Sequence, residues 1–223
     1  TPQTAIVNTR FDSVLSVRVT DASGNPVSGL NVTFTAPSSG ASGTFVSNGA
    51  TTKIVQTSAL GIANADTFKA NAIAGGPYLV TAAAAGVSGE VTFNITNIVG
   101  PLSAFLVEAE NGGAISTQLA MNSFNIRITA QDFYHNPIQS FAGPVRISST
   151  ASFLGDTTTG GFTDGVVIHR NIIMKRAGSG VTISARLISG GTQSGTSTAF
   201  LVNNPVPTFV SITPAVANLG DTL

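Results

Sequence analysis

The sequence predicts an all-β chain: two tandem β-sandwiches of one kind, followed by the first strand of a third domain. Three observations carry this. Short runs alternate apolar and polar residues with the period of two that a half-buried strand needs. Gly, Pro, Asn, Asp and Ser punctuate those runs at the spacing of a sandwich, and no window offers a capped helix. One unit is also written twice. Asp21-x-x-x-Asn25-Pro26 answers Asp132-x-x-x-Asn136-Pro137, and 132 − 21 and 137 − 26 both give 111, the length of a single sandwich domain.

The opening stretch, Val17 to Phe34, reads as a hairpin. Leu15, Val17 and Val19 alternate with Ser16, Arg18 and Thr20, as Val32 and Phe34 do with Asn31, Thr33 and Thr35. Between them Asp21 can accept bonds from backbone further along, Gly24 tolerates positive φ and Pro26 fixes φ. Strands are then expected at Gly43–Val46, Thr51–Thr57, Gly61–Lys69, Pro77–Ala84 and Gly89–Thr96, the last with Val91, Phe93 and Ile95 inward. Tyr78–Ala85 is rich in Ala, but Pro77 and the Val80–Thr81 pair favour a strand over a helix.

Ile98-Val99-Gly100-Pro101 is a short, stiff linker, so the domains are expected at 1–99, 100–204 and 205–223. The second unit brings Ser103–Glu110, with Phe105 and Val107 inward, then Asn122–Gln131, Gly143–Ser149, Phe162–Met174, Gly180–Leu187 and Thr196–Val202. After Asn203-Asn204-Pro205-Val206-Pro207, the residues Phe209, Val210 and Ile212 start another strand. Val19, Phe34, Phe93, Ile126, Ile147 and Ile183 are the expected core. Since 103 − 111 = −8, the counterpart of the second unit's first strand falls before Thr1. The first sandwich is therefore expected to lack an edge strand. Thr208–Leu223 is the candidate to fill that edge in another copy, giving a head-to-tail filament by strand addition.

Composition bounds the partners. Only 9% of residues are charged, against roughly a quarter in ordinary globular chains, and ten acidic residues cancel ten basic ones. A basic face for nucleic acid or anionic lipid cannot be assembled from these. Mean hydropathy is +0.32, yet the most apolar runs, Tyr78–Val87 and Val166–Met174, are too short to span a bilayer. No nucleic acid and no membrane insertion are expected. With no Cys there are no disulfides or thiolate zinc sites. The chain opens in mid-pattern and reads as a fragment of something longer.

The first unit resembles a bacterial immunoglobulin-like domain of the invasin/intimin type. VRVTDASGNPVSGLNVTF, the TFVSNGATT run at Thr44–Thr52, LGIANA and GGPYLVTAAAAGVSGEVTFNITN carry the resemblance over most of Thr1–Ile98. FNIRITAQDFYHNPIQSFAGPVRISS, FTDGV and AGSGVTISA make the second unit similar to a related Ig-like module of large bacterial surface proteins. The tail PVPTFVSITPAVANLGDTL resembles the opening of an IPT/TIG-type domain. The resemblance implies two tandem immunoglobulin-like sandwiches and a place on the bacterial cell surface or outside the cell. It further implies a stalk that spaces an adhesive or enzymatic end from the cell. The first unit departs from the family pattern at Thr1-Pro2-Gln3, where the strand that usually precedes the entry turn is absent.

Few residues point to chemistry. His135 lies in the second turn beside Tyr134 with Asp132 the only nearby acid, and an exposed turn histidine is the expected reading. His169, next to Arg170 in a strand, is expected on the surface or across from a neighbouring strand. Two histidines without Cys or an H-x-x-x-H spacing exclude a transition-metal motif. Structural calcium is the one metal the acids leave open, at Glu108 and Glu110 or at Asp156 and Asp164; these do not cluster, so no cofactor is expected.

The leading function is a structural stalk or spacer, with neighbouring Ig-like domains of the same protein or of other copies as partners. It is expected not to be an enzyme. A second reading is a module that binds a surface glycan or a protein receptor through Phe133, Tyr134, His135 and Phe141, since aromatic faces stack on sugars. A third is an accessory region of a secreted enzyme.

Overall fold

Two separate hydrophobic clusters divide the chain, one gathered from Ala5 to Ile95 and one from Phe105 to Val202. They are seen in a computed structural model that describes residues 2–207. The expected third-domain strand at 208–223 lies outside the described residues. Among the described residues there are strands and turns but no helix.

The first domain contains β1 (Gln3–Ile6), β2 (Ser16–Arg18), β3 (Asn31–Thr35), β4 (Gly43–Phe45), β5 (Thr52–Gln56), β6 (Ile62–Asn64), β7 (Phe68–Ala70), β8 (Gly75–Ala84) and β9 (Val91–Ile98). One sheet has the order β1-β9-β8-β3-β5, and the pairs β2-β6 and β4-β7 supply the opposing layer. Phenylalanines cross between the layers. Phe34 of β3 meets Phe45 of β4 at 6.3 Å, Phe45 meets Phe68 of β7 at 5.0 Å, and Phe11 stacks on Phe68 at 5.6 Å. Offset and edge-on contacts of this kind add to the area they bury.

The second domain contains β10 (Ala104–Ala109), β11 (Gln118–Leu119), β12 (Ser123–Gln131), β13 (Val145–Ser149), β14 (Phe153–Leu154), β15 (Val166–Met174), β16 (Gly178–Val181), β17 (Ile183–Leu187), β18 (Ser194–Thr196) and β19 (Phe200–Asn203). Its sheets run β10-β12-β15-β14, β11-β19-β16 and β13-β17-β18. Ile126, Ile147 and Ile183 are buried in its core, as Phe34 and Phe93 are in the first. Val19 is only half-buried.

The opening hairpin is a correction. β2 pairs with β6 while β3 pairs with β5 and β8, so the two strands belong to different layers. The turn itself closes like a hairpin, with Val27 N–H donating to the Val19 carbonyl at 3.1 Å. Beyond it, Thr57 captures the chain: its Oγ1 donates to the Val27 carbonyl and accepts from Leu30 N–H. The strand then leaves for the facing sheet. Changes of pairing partner also break three runs expected to be continuous. Gly61–Lys69 divides into β6 and β7, Gly180–Leu187 into β16 and β17, and Thr196–Val202 into β18 and β19. Each half pairs in a different sheet. Alternation survives such a switch of partner, which is why period alone hides it. Val91, expected inward, stands at the start of β9 and is 49% exposed.

The repeat is structural as well as textual. Asp21 N–H donates to Asn25 O and Asp132 N–H to Asn136 O; Val27 N–H donates to Val19 O and Ile138 N–H to Ala130 O. Every second-domain residue here is its partner's number plus 111. β1 pairs in parallel with β9 as β11 does with β19. β10 lies antiparallel on β12, and no described residue takes that place beside β2.

Candidate functional site

The second copy of the turn sits at the junction between the domains. Asp132 is buried, and its carboxylate is saturated with donors. Oδ1 accepts from Tyr134 N–H and Asn136 N–H, each at 2.9 Å, and Oδ2 accepts from Gly100 N–H of the linker at 3.0 Å. Asn136 Nδ2 adds a further bond to each carboxylate oxygen. Burial pushes the Asp132 pKa up, but the donors from Asn136, Gly100 and Tyr134 outweigh it and hold the carboxyl below its ordinary value.

Asn136 reaches across the junction. Its Nδ2 donates to the Ala72 carbonyl and its Oδ1 accepts from Ala74 N–H, both at 2.9 Å. Beside it, Asn8 Nδ2 donates to the Tyr134 hydroxyl. The receiving loop is itself held from within. Asn97, buried at the end of β9, donates through Nδ2 to the Ser42 and Ile73 carbonyls and to Asn71 Oδ1, and accepts from the Tyr78 hydroxyl at 2.8 Å. Burial raises the Tyr78 pKa, with the Asn97 bond opposing it, so the hydroxyl stays a donor. A buried amide with this many partners specifies one loop geometry.

The four residues expected to form a ligand loop are not held together. Phe133 projects from the turn, 74% exposed, with Tyr134 edge-on to its ring at 5.2 Å. Tyr134 is half-buried in the junction. His135 is exposed at φ 66°, in the place of Gly24 at φ 84°. Phe141 leaves the group: its ring packs on Phe105 at 5.4 Å and on Phe162 at 4.8 Å, on the second core.

Other polar residues also have structural work. His169 is buried, with Nε2 2.9 Å from the Asp156 carbonyl, rather than on the surface. Glu108 accepts from Gly113 N–H, and Glu110 bridges Arg170 and Asn125. Among the described residues no three acids or histidines gather into a cation site. A groove at the junction, lined by Ala74, Gly75, Val99, Asn136, Pro137 and Gln139, carries no ionisable side chain.

No family model matches the sequence, and no curated protein does. Three of the solved structures similar to the chain follow. The D0-D1 domain of intimin is 16% identical, over 92% of this chain and 94% of that one, with a TM-score of 0.33. The Escherichia coli adhesin FdeC is 17% identical over 92% of this chain and 63% of that one, with a TM-score of 0.42. Domains 4-9 of the surface layer protein SbsC are 17% identical over 92% of this chain and 30% of that one, with a TM-score of 0.30.

Asn97 is the residue that sequence reasoning missed, although a signal for it exists. The alternation that turns Phe93 and Ile95 inward carries Asn97 inward too, and a polar residue at a core position needs partners.

Proposed function

We propose that the chain is a spacer segment of an exported bacterial surface protein, two Ig-like sandwiches coupled end to end so that another part of the protein is held at a distance. One observation carries this reading: Asn136 and Asp132 tie the second domain both to the Ala72–Ala74 loop and to the linker. Domains joined by a short linker move independently unless something restrains them. Here the restraint is a turn common to both domains, placed where the second meets the first. The sequence resemblance to invasin/intimin-type domains supports a position outside the cell. In this reading the chain is not a catalyst, because the acid beside His135 is spent on backbone donors. The test is the tumbling of each domain by NMR relaxation. One shared correlation time supports a spacer; two independent ones would end the proposal.

The exposure of Phe133 favours a second role, contact with a glycan or a protein receptor at the junction. Phe133→Ala would then abolish binding on a glycan array or to a receptor ectodomain while leaving domain coupling unchanged.

A further inference from the structure

Two cations of this sparsely charged chain face each other on the outer side of the β13-β17-β18 sheet. Val145, Ile147, Ile183 and Ala185 point into the second core, so the residues between them face solvent. Arg146 on β13 stands directly opposite Arg186 on β17. Ile147 N–H and the Val145 carbonyl bond to the 157–159 segment, while Leu187 N–H and the Ile183 carbonyl bond to residues 193 and 197 about β18. The even-numbered residues of β13 and β17 therefore bond to each other, which sets the two arginine Cα atoms about 5.5 Å apart. Both side chains are exposed, and neither has an acid within ion-pair reach among the described residues.

Like charges directly opposite on a sheet repel, so the fold gains nothing from this pair. What surrounds it suits an anion. Thr158 extends the row beyond Arg146 and Ser194 extends it beyond Arg186, placing a hydroxyl at each end. The neighbouring row is Ser148, Ser184 and Thr196, the last two bonded to each other at 2.8 Å. Ser148 also lines a groove of about 450 Å³ with Thr150, Ser152 and Thr157, in which Lys175 is the one charged side chain. Asp156, just before the 157–159 segment, sets one exposed negative charge against these three positive ones.

We propose that this face binds an acidic polysaccharide, with a sulfate or phosphate ester held between Arg146 and Arg186. A guanidinium offers a planar fork of donors, and one fork is enough to engage both oxygens of a carboxylate. Two forks on one anion call for the three free oxygens of a tetrahedral ester. The hydroxyl rows serve the sugar rings, giving and accepting bonds as alcohols do. Lys175 takes a second charged group farther along the polymer, as a point charge without the fork. A nucleic-acid backbone is a poor occupant, because it presents more phosphates in a row than three cations can neutralise. The site is separate from the Phe133 turn and does not depend on how the two domains are coupled.

Isothermal titration calorimetry of the full chain tests this with four probes. They are a heparin hexasaccharide, the same hexasaccharide desulfated, a phosphorylated mannan oligosaccharide of similar length and a phosphoserine peptide. At least one esterified saccharide should bind, and the tighter of the two identifies the ester. The desulfated one, left with carboxylates alone, should not bind. Arg146→Ser with Arg186→Ser should weaken binding at least about tenfold, while resistance to urea stays level or rises as the repulsion is removed. Arg146→Lys keeps the charge and loses the fork, so it should weaken binding several-fold. Arg10→Ser with Arg18→Ser removes the same charge from the first domain and should bind like wild type. The proposal is overturned if neither esterified saccharide binds at millimolar concentration, or if the desulfated one binds equally. It is also overturned if the two double variants behave alike, or if Arg146→Lys costs nothing. A phosphoserine peptide that binds more tightly than both saccharides overturns the polysaccharide as occupant.

Discussion

Asn25 and Asn136 occupy the same place in two copies of one turn, yet only Asn136 holds another domain. Both side-chain amides donate to the aspartate four residues earlier. Asn136 adds bonds to the Ala72 carbonyl and to Ala74 N–H across the junction. Asn25 is exposed and has no such neighbour among the described residues. A local turn device has thus become a fastening through position alone.

Replacing the two residues should separate these roles. Asn136→Ala removes two bonds across the junction, each worth about 0.5–1.5 kcal/mol, and leaves Ala74 N–H and the Ala72 carbonyl without their partner. Asn25→Ala loses only local bonds at an exposed site. The expected result is that Asn136→Ala lets the domains tumble independently in NMR relaxation, whereas Asn25→Ala leaves them coupled. Equal effects from both would remove the fastening role.

Asp132 makes the fastening sensitive to acid. Its folded pKa lies below the unfolded value of about 3.9, so the native state favours the carboxylate. The stabilisation is complete above the unfolded pKa and is lost as pH falls through the folded one. Urea denaturation of the second domain should therefore weaken below about pH 4. Asp132→Asn should be less stable at neutral pH, because an amide cannot accept from all the donors now served. Its stability should also vary less between pH 5 and pH 2. A variant with the wild-type pH profile would show that the carboxylate does not govern acid sensitivity.

Asn97 governs the loop on which Asn136 lands. Asn97→Leu would bury an apolar group among the Ser42 and Ile73 carbonyls and the Tyr78 hydroxyl, stranding each. A buried polar group left unsatisfied costs about 1–3 kcal/mol, so a loss of at least that size is expected in chemical denaturation of the first domain. Coupling to the second domain should fall with it, since Asn71 and Ile73 frame Ala72.

The all-β class, the repeat of 111 and most inward faces were legible because they rest on periodicity and turn chemistry, which are local. Phe34, Phe93, Ile126, Ile147 and Ile183 are core for that reason. The layer crossing after Val27 was not legible. It depends on Thr57, 30 residues away in sequence, capturing the chain end. Of the site, the residue types were visible but their division was not. Nothing local tells Phe141, which joins Phe105 and Phe162, from Phe133, which faces solvent.

Phe34 lies at the centre of the first core, fully buried between Phe45 and Phe93 at 6.3 Å from each. Phe93 keeps 9% of its surface exposed. Truncating a buried Phe to Ala costs about 3–5 kcal/mol through lost burial and the cavity left behind. Phe34→Ala is expected at the top of that range and Phe93→Ala nearer the bottom. A cost under about 1 kcal/mol for Phe34 in chemical denaturation would contradict its central position.

Two glycines of the first domain should respond to alanine in different ways. Gly24 has φ 84° with open space where a Cβ would go, so Gly24→Ala meets only the left-handed backbone penalty of about 1 kcal/mol. Gly61 has φ 73°, and a Cβ there would stand 2.4 Å from the Val19 carbonyl and 3.1 Å from Pro26 Cβ. That carbonyl is the acceptor for Val27 N–H, and Gly61 O accepts from Val19 N–H at 2.8 Å. Relief of the clash must therefore move the backbone at Val19 or break the turn. Gly165, φ 72°, is crowded from the other side of its turn, with an added Cβ 2.3 Å from the Ile138 carbonyl. Gly61→Ala and Gly165→Ala are each expected to cost well over 1 kcal/mol more than Gly24→Ala in urea denaturation, beyond the range of ordinary surface changes. Comparable costs at all three positions would mean that backbone conformation alone, and not the close approach of neighbouring backbone, keeps glycine there.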